Sequence, residues 1–226
     1  MAREFTKNLF VMLVAIMIGV FIITYFVADI INRSKIETIQ TENTVKIEDI
    51  NSKNENFTNH FLQGSVTMVS AREIREVGNY HFDFALFWYS TALKNTTENF
   101  VHHCIENCTD AMMSYLASYQ KFGESRPYFV GAKNYTDREK YKDALNYYIN
   151  FTKAGQSITS LRYNASKFLR QAVENLSIGN MKNVTMLMGY FNSTEANYTG
   201  QLQFYENQKD VIDNSYLFFD PIRESH

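Results

Sequence analysis

The hydrophobic pattern opens with one long apolar segment. Residues 9–28 contain no charged side chain, and at about 1.5 Å per residue such a helix covers the roughly 30 Å hydrocarbon core of a bilayer. A cleaved signal peptide is the alternative, but its apolar region usually stops after about 7–15 residues at a small-x-small site. Phe26 occupies the first small position here. The pattern therefore predicts an uncleaved transmembrane anchor, placed at residues 9–31.

Beyond the anchor, apolar residues recur at helical spacing. This pattern predicts a membrane-proximal stalk helix over residues 32–70, although Asn43 and Asn54 interrupt it. The apolar positions of the stalk are Ile36, Ile39, Ile47, Ile50, Phe57 and Phe61.

The remaining chain continues the helical pattern. With only two prolines and few glycines, the sequence favours long helices over a turn-dense β-sandwich. We expect an all-α extracellular domain over residues 71–215, an antiparallel bundle of five or six helices. Residues 124–136, with Pro127 and Gly131, are predicted to form its main loop. Gly78 ends one predicted helix, and the predicted helices cover residues 80–94, 97–122, 137–152, 157–177 and 181–211.

Both ends of the chain are short. Residues 1–8 form the predicted cytoplasmic tip, and residues 216–226 form a C-terminal tail. An apolar group stands in this tail, and it is predicted either to fold back onto the bundle or to contact a partner subunit. Its members are Tyr216, Leu217, Phe218 and Phe219.

Three segments resemble the tetratricopeptide repeat, in which small residues and aromatics alternate along paired helices. They are residues 85–93, residues 140–148 and a shorter stretch from Gly179 to Val184. The matching positions in these segments, Ala85, Ala144 and Val184, are 59 and 40 residues apart, whereas the repeat recurs about every 34 residues. The resemblance implies packed helix hairpins, and it makes an irregular tetratricopeptide-like α-solenoid the alternative fold.

The chain is rich in N-glycosylation acceptor triplets. Eleven of the 22 asparagines begin an Asn-x-Ser/Thr triplet, the acceptor sequence for N-linked sugars in secreted chains. Asn32 lies so close to the anchor that we expect it to stay unmodified. The other ten are the predicted glycosylation sites: Asn56, Asn95, Asn107, Asn134, Asn150, Asn164, Asn175, Asn183, Asn192 and Asn197.

These triplets decide the predicted orientation. Arg3 and Lys7 before the anchor are balanced by Arg33 and Lys35 after it, so positive charge alone does not orient the segment. The acceptor sites require the long C-terminal part to face the exterior. We therefore expect a single-pass cell-membrane protein with a cytoplasmic N-terminus.

Helical periodicity predicts which faces carry the sugars. Asn164 and Asn175 are eleven residues apart and share a face, as do Asn183 and Asn197. Asn192 falls about 180° from Asn183, so either that helix bends or one of the two stays unmodified. The residues expected to pack inward, opposite Asn164 and Asn175, are Ile158, Leu169, Val173 and Leu176.

One cluster has metal-ligand character. Cys104 and Cys108 share a helix face, but His102 and His103 point away from it, so the cluster predicts no metal site without a second helix. An oxidising exterior also allows a disulfide between the two cysteines. A strained intrahelical bridge, a bridge between two copies and two buried thiols all remain open.

Composition narrows the function classes. The formal net charge is −2 with no long basic run, so nucleic acid is not an expected partner. No phosphate-binding loop or nucleophile motif is present, and we expect neither enzymatic activity nor a cofactor. The short tip, single anchor and acceptor-rich exterior resemble membrane-anchored surface proteins of archaea, which implies an N-glycosylating cell surface.

Three functions are consistent with this organisation. The first is a glycosylated interaction or structural module, an accessory subunit or surface scaffold. The second is the ectodomain of a ligand-binding receptor that signals through a partner, and the third is a filament subunit assembled through the apolar helix. The expected partners are membrane lipid, N-linked sugars and other membrane or cell-surface subunits or copies of the chain.

Overall fold

The computed structural model describes the backbone of residues 2–215 and the side chains of residues 24–214. Over this range the chain is all-α, as predicted, and contains no strand. The count of five or six helices is wrong, because several predicted breaks lie inside longer helices. The helices are α1 (Ala2–Lys94), α2 (Glu98–Asn134), α3 (Glu139–Ser177) and α4 (Met181–Ser215).

The chain divides into two units, Met1–Ser52 and Lys53–His226. Residues 53–70, assigned to the stalk from sequence, therefore belong to the second unit. Within the described part of the chain, no helix is both long and apolar enough to cross a membrane. Most of the predicted anchor falls on residues 1–23, whose side chains lie outside the described part, and the predicted tail at residues 216–226 also lies outside it.

The second unit is an antiparallel four-helix bundle built from the C-terminal part of α1 and from α2, α3 and α4. Aromatic pairs join neighbouring helices around the bundle: Phe61 and Phe129, Phe122 and Phe151, Phe151 and Tyr205, and Phe82 and Phe191. The last of these pairs joins α1 to α4, which closes the bundle. The closed arrangement confirms a helical bundle, with fewer helices than predicted, and differs from the solenoid alternative, in which each repeat contacts only its neighbours.

Residues 61–92 of α1 and residues 101–132 of α2 are buried in a strict seven-residue repeat. Large residues alternate with small ones, and the small positions bring the two backbones close together. The Ser118 hydroxyl donates to the Ala71 carbonyl at 2.7 Å, and Cys104 Sγ donates to the Ala85 carbonyl at 3.3 Å. The buried small positions are Gly64, Ala71, Gly78, Ala85 and Ala92 on α1, and Cys104, Ala111, Ser118, Ser125 and Ala132 on α2.

Two glycines near predicted helix breaks are packing positions instead. Gly78 lies inside α1, where an added Cβ would stand 2.8 Å from the Tyr115 ring, and Gly155 lies inside α3, 2.6 Å from the Phe122 ring. Gly179 behaves differently, with φ at +72°. Its N–H donates to the Leu176 carbonyl, and the next N–H donates to the Asn175 carbonyl, the Schellman arrangement that ends a helix.

The predicted loop at residues 124–136 is also wrong, because α2 runs through Pro127 to Asn134. Proline inside a helix costs about 3 kcal/mol through a lost hydrogen bond and a clash with the carbonyl four residues earlier. Pro127 is exposed, while Phe122 and Phe129 on either side are fully buried. Burial of such a side chain contributes about 1.5–3 kcal/mol, so the two phenylalanines offset the cost of the proline.

Candidate functional site

A buried arginine occupies a core position of α1. Arg75 falls in the same seven-residue series as Phe61, Met68 and Phe82, and it is only 8% exposed. Its Nε and Nη2 donate to Glu76 Oε1 at 3.2 and 2.6 Å. The remaining nitrogen, Nη1, is buried and has no hydrogen-bond partner. An unpartnered nitrogen of this kind is unusual, because the donors of a buried charged group normally form hydrogen bonds.

Tyr205 of α4 lies directly beneath this arginine. Arg75 Cζ stands 4.7 Å from the centroid of the Tyr205 ring, a cation–π distance. The ring also stacks on Phe151 at 4.4 Å, so it is held in place. Tyr205 is 1% exposed and its hydroxyl has no partner. Burial raises the pKa of Tyr205 to about 12, so the hydroxyl is protonated at neutral pH and is able to donate.

Both groups line a cleft between α1 and α4 with a volume of about 380 Å³. Lys209 on its rim pairs with Asp213 at 3.0 Å. Arg72, Glu73 and Glu206 form no ion pair within the described part of the chain. The lining residues are Val69, Arg72, Glu73, Arg75, Glu76, Tyr205, Glu206 and Lys209.

A hydrogen-bond chain fixes Glu76, the partner of Arg75. The fully buried Tyr115 donates its hydroxyl proton to Asn79 Oδ1 at 2.9 Å, and Asn79 Nδ2 donates to Glu76 Oε2 at 3.0 Å. Burial acts to raise the pKa of Glu76, but the bonds from Arg75 outweigh it and the pKa lies below the usual range. Glu76 is therefore ionised at neutral pH and holds two of the three guanidinium nitrogens.

A second arginine, Arg162 of α3, contacts both α1 and α4, and like Arg75 it has a buried nitrogen, Nε, without a hydrogen-bond partner. Arg162 Cζ stands 4.5 Å from the Phe82 ring and 3.9 Å from the Tyr198 ring. Its Nη1 donates to Glu195 Oε2 at 2.8 Å. Burial raises the pKa of Glu195 despite this attraction. This ion pair joins α3 to α4 and lies outside the lining of the cleft beside Arg75, so we assign it a structural role.

The four residues with metal-ligand character have different environments, because the two cysteines are buried in the core and the two histidines are not. Cys104 and Cys108 are free and fully buried thiols, and the pKa of Cys108 is raised by its hydrogen bond to Cys104 and by burial. His102 and His103 both turn towards Glu106, at 3.0 and 3.4 Å. Within the described residues, no group of three His, Cys, Asp or Glu side chains is placed to hold a metal ion.

None of the ten predicted acceptor asparagines is buried. The four residues predicted to face inward on α3, from Ile158 to Leu176, are buried as expected. Both Asn183 and Asn192 are accessible in the structure. The buried stripe of α4 is narrow, and these two asparagines lie on either side of it. Asn95, Asn134, Asn150, Asn192 and Asn197 are exposed, and Asn56, Asn107, Asn164, Asn175 and Asn183 are half-buried.

No protein-family model matches the chain, and no curated protein or solved structure is significantly similar to it. The site therefore has to be interpreted from its own chemistry. Neither Arg75 nor Tyr205 is among the candidate residues predicted from the sequence. A detectable signal exists for Arg75, because a charged residue at a core position of a seven-residue repeat is costly and has to be paired.

Proposed function

We propose that the protein is a membrane-anchored, N-glycosylated extracellular interaction module, an accessory subunit or surface scaffold of a membrane or cell-surface assembly. The observation that carries this proposal is an exposed apolar stripe on α1 within the first unit. Four isoleucines of the stripe lie within about 80° of the helix circumference at 100° per residue. Ile36, Ile39, Ile47 and Ile50 are each more than half exposed.

An exposed apolar stripe of this kind favours the binding of a partner protein. An amphipathic helix is stabilised mainly by burial of its apolar face, and burial of an isoleucine contributes about 1.5–3 kcal/mol. Asn43 and Asn54 lie on the same face. Polar residues within an apolar seam specify register and oligomeric state in helical assemblies, which also supports a specific protein contact.

The predicted glycans also favour the first unit as the site of the partner contact. Hydrated glycans on the bundle would block broad contacts with its coated faces. In residues 24–52 the only acceptor triplet is at Asn32. The apolar stripe of the first unit is therefore the surface most open to a partner protein.

Purification from the native membrane in mild detergent tests this function. We expect the full chain to co-purify with a stoichiometric partner, identified by mass spectrometry, and the double variant Ile47→Gln/Ile50→Gln to lose it. Val45→Gln is the matched control, because Val45 is equally exposed at 59% and lies on the opposite face of the helix. A wild-type chain that purifies alone, or equal loss with the control, would contradict the proposal.

The second candidate function is a receptor ectodomain. The cleft beside Arg75 and Tyr205 favours it, because two unpartnered buried donors line a space of about 380 Å³, a typical size for a small-molecule site. A lone protein that retains a small molecule through purification would support this candidate.

A further inference from the structure

The cleft between α1 and α4 contains two hydrogen-bond donors that the protein leaves unused. Arg75 is 8% exposed and Tyr205 is 1% exposed, and neither Arg75 Nη1 nor the Tyr205 hydroxyl has a protein partner. Leaving a buried polar group unsatisfied costs about 1–3 kcal/mol, and more for a charged group. Two such unpartnered donors on residues that line one cleft indicate a group that arrives from outside the chain.

We infer that this cleft binds a small zwitterion of the amino-acid class, with its carboxylate on Arg75 Nη1 and the Tyr205 hydroxyl. A carboxylate accepts hydrogen bonds from both donors at once, and its bond to the guanidinium is charge-assisted. Arg72 lines the same cleft without an ion pair of its own and adds a second positive charge at this end.

The acidic side chains of the cleft decide between classes of anion. Glu73, Glu76 and Glu206 lie in the same lining as the three basic residues. The three carboxylates balance the charge of the three basic residues, so this lining disfavours a phosphate dianion more than a zwitterion without net charge. Glu73 and Glu206 are available to an ammonium group instead. A ligand with one carboxylate and one ammonium matches the mixed charge of the lining.

The cleft also fits this class in size. Small-molecule sites span about 300–1,000 Å³, and the volume of about 380 Å³ lies at the lower end of that range. The inference requires only the second unit of the chain. It is therefore independent of the membrane anchor and of the partner contact proposed for the first unit.

Calorimetric titration of the full-length chain in mild detergent tests the site, with each of the twenty standard L-amino acids as a separate probe. We expect at least one amino acid to bind and to raise the melting temperature. The deaminated acid and the decarboxylated amine of that amino acid are expected to bind at least about tenfold more weakly than the amino acid itself. Inorganic phosphate is expected not to bind. Absence of binding by every amino acid at about 10 mM would overturn the inference.

Tyr205→Phe separates ligand binding from folding. The substitution removes a hydroxyl that has no partner, so the melting temperature without ligand should stay equal or rise. Amino-acid affinity should fall about tenfold. Tyr190→Phe is the matched control on α4, since Tyr190 is exposed and lies outside the cleft. Wild-type affinity in Tyr205→Phe would overturn the inference, as would a lower melting temperature without ligand, which would show that the hydroxyl already has a partner.

Charge variants test the two ends of the ligand. Arg72→Gln should weaken binding of the amino acid and of its deaminated acid alike, because both present a carboxylate. Glu206→Gln should weaken the amino acid but leave the deaminated acid unchanged, because only the amino acid carries the ammonium. Equal effects of Glu206→Gln on both probes would contradict the assigned orientation.

Discussion

The ring of Tyr115 fills the space that a side chain at position 78 would need. A Cβ built on Gly78 would lie 2.8 Å from Tyr115 Cε1, closer than van der Waals contact allows. The ring has no room to move away, because Tyr115 is fully buried and its hydroxyl is bound to Asn79. The contact between α1 and α2 therefore depends on the absence of a side chain at position 78.

Gly78→Ala should destabilise the protein although alanine is the better helix former. We expect a loss of about 1–3 kcal/mol from overpacking, measured by urea denaturation followed by circular dichroism. Gly200→Ala is the control, since Gly200 lies inside α4 with nothing within 4 Å of an added Cβ. It should stabilise the protein by about 0.5–1 kcal/mol. Two changes of the same sign would contradict the packing described here.

Helix formation was predictable from sequence, whereas the helix ends were only partly so. Gly179 ends α3 through local turn geometry, so sequence alone locates that end correctly. Gly78, Gly155 and Pro127 look like breaks in the same way, but each lies inside a helix. Whether these residues interrupt a helix depends on the packing of large side chains, such as Tyr115 and Phe122, and a local pattern does not contain that information.

The candidate cleft was less predictable than the fold. The inward residues of α3 follow from helical periodicity, because a solvated face implies a buried one opposite. Arg75 and Tyr205 are 130 residues apart in the sequence, and nothing local indicates that they meet. The seven-residue repeat of α1 identifies Arg75 as a core residue, but only the packing of α4 supplies Tyr205.

Tyr205 should make the protein sensitive to alkaline pH. Its pKa is raised to about 12 in the folded chain, against about 10 in an unfolded chain. The unfolded state therefore loses this proton first, and the stability that Tyr205 contributes below pH 10 disappears as the pH rises to about 12. We expect a loss of about 2–3 kcal/mol over this window.

Urea denaturation of the wild type and of Tyr205→Phe between pH 8 and pH 12 measures this effect. The wild type should lose more stability than the variant over the window. Tyr190→Phe controls for the loss of a phenol on the same helix. Parallel pH profiles for the wild type and Tyr205→Phe would contradict the burial assigned to this hydroxyl.

The two cysteines should resist thiol reagents in the native state. Both are fully buried, and the pKa of Cys108 is raised by the bond to Cys104 and by burial, which suppresses the reactive thiolate. We expect no rapid labelling of the native chain and two labelled thiols per chain after unfolding without reductant. Absence of labelling in the unfolded chain would show a disulfide instead.

Peptide mapping by mass spectrometry should find sugars on the external acceptor sites. Exposed sites such as Asn95 and Asn197 are expected to be modified, and Asn32 is not. Asn183 Nδ2 donates to Asn175 Oδ1 at 3.1 Å, so sugars on both would crowd each other. We expect the fraction of molecules modified at both sites to be lower than the product of the occupancies of the two separate sites. A chain with every external site unmodified would contradict the outward orientation.

Site-specific photocrosslinking in native membranes tests the proposed interaction function most directly. A photoreactive residue replaces Ile47 in one variant and Val45, on the opposite face of α1, in the other. The account predicts that the probe at position 47 crosslinks to one discrete protein species and that the probe at position 45 does not. Equal crosslinking at both positions, or none at position 47, would contradict it.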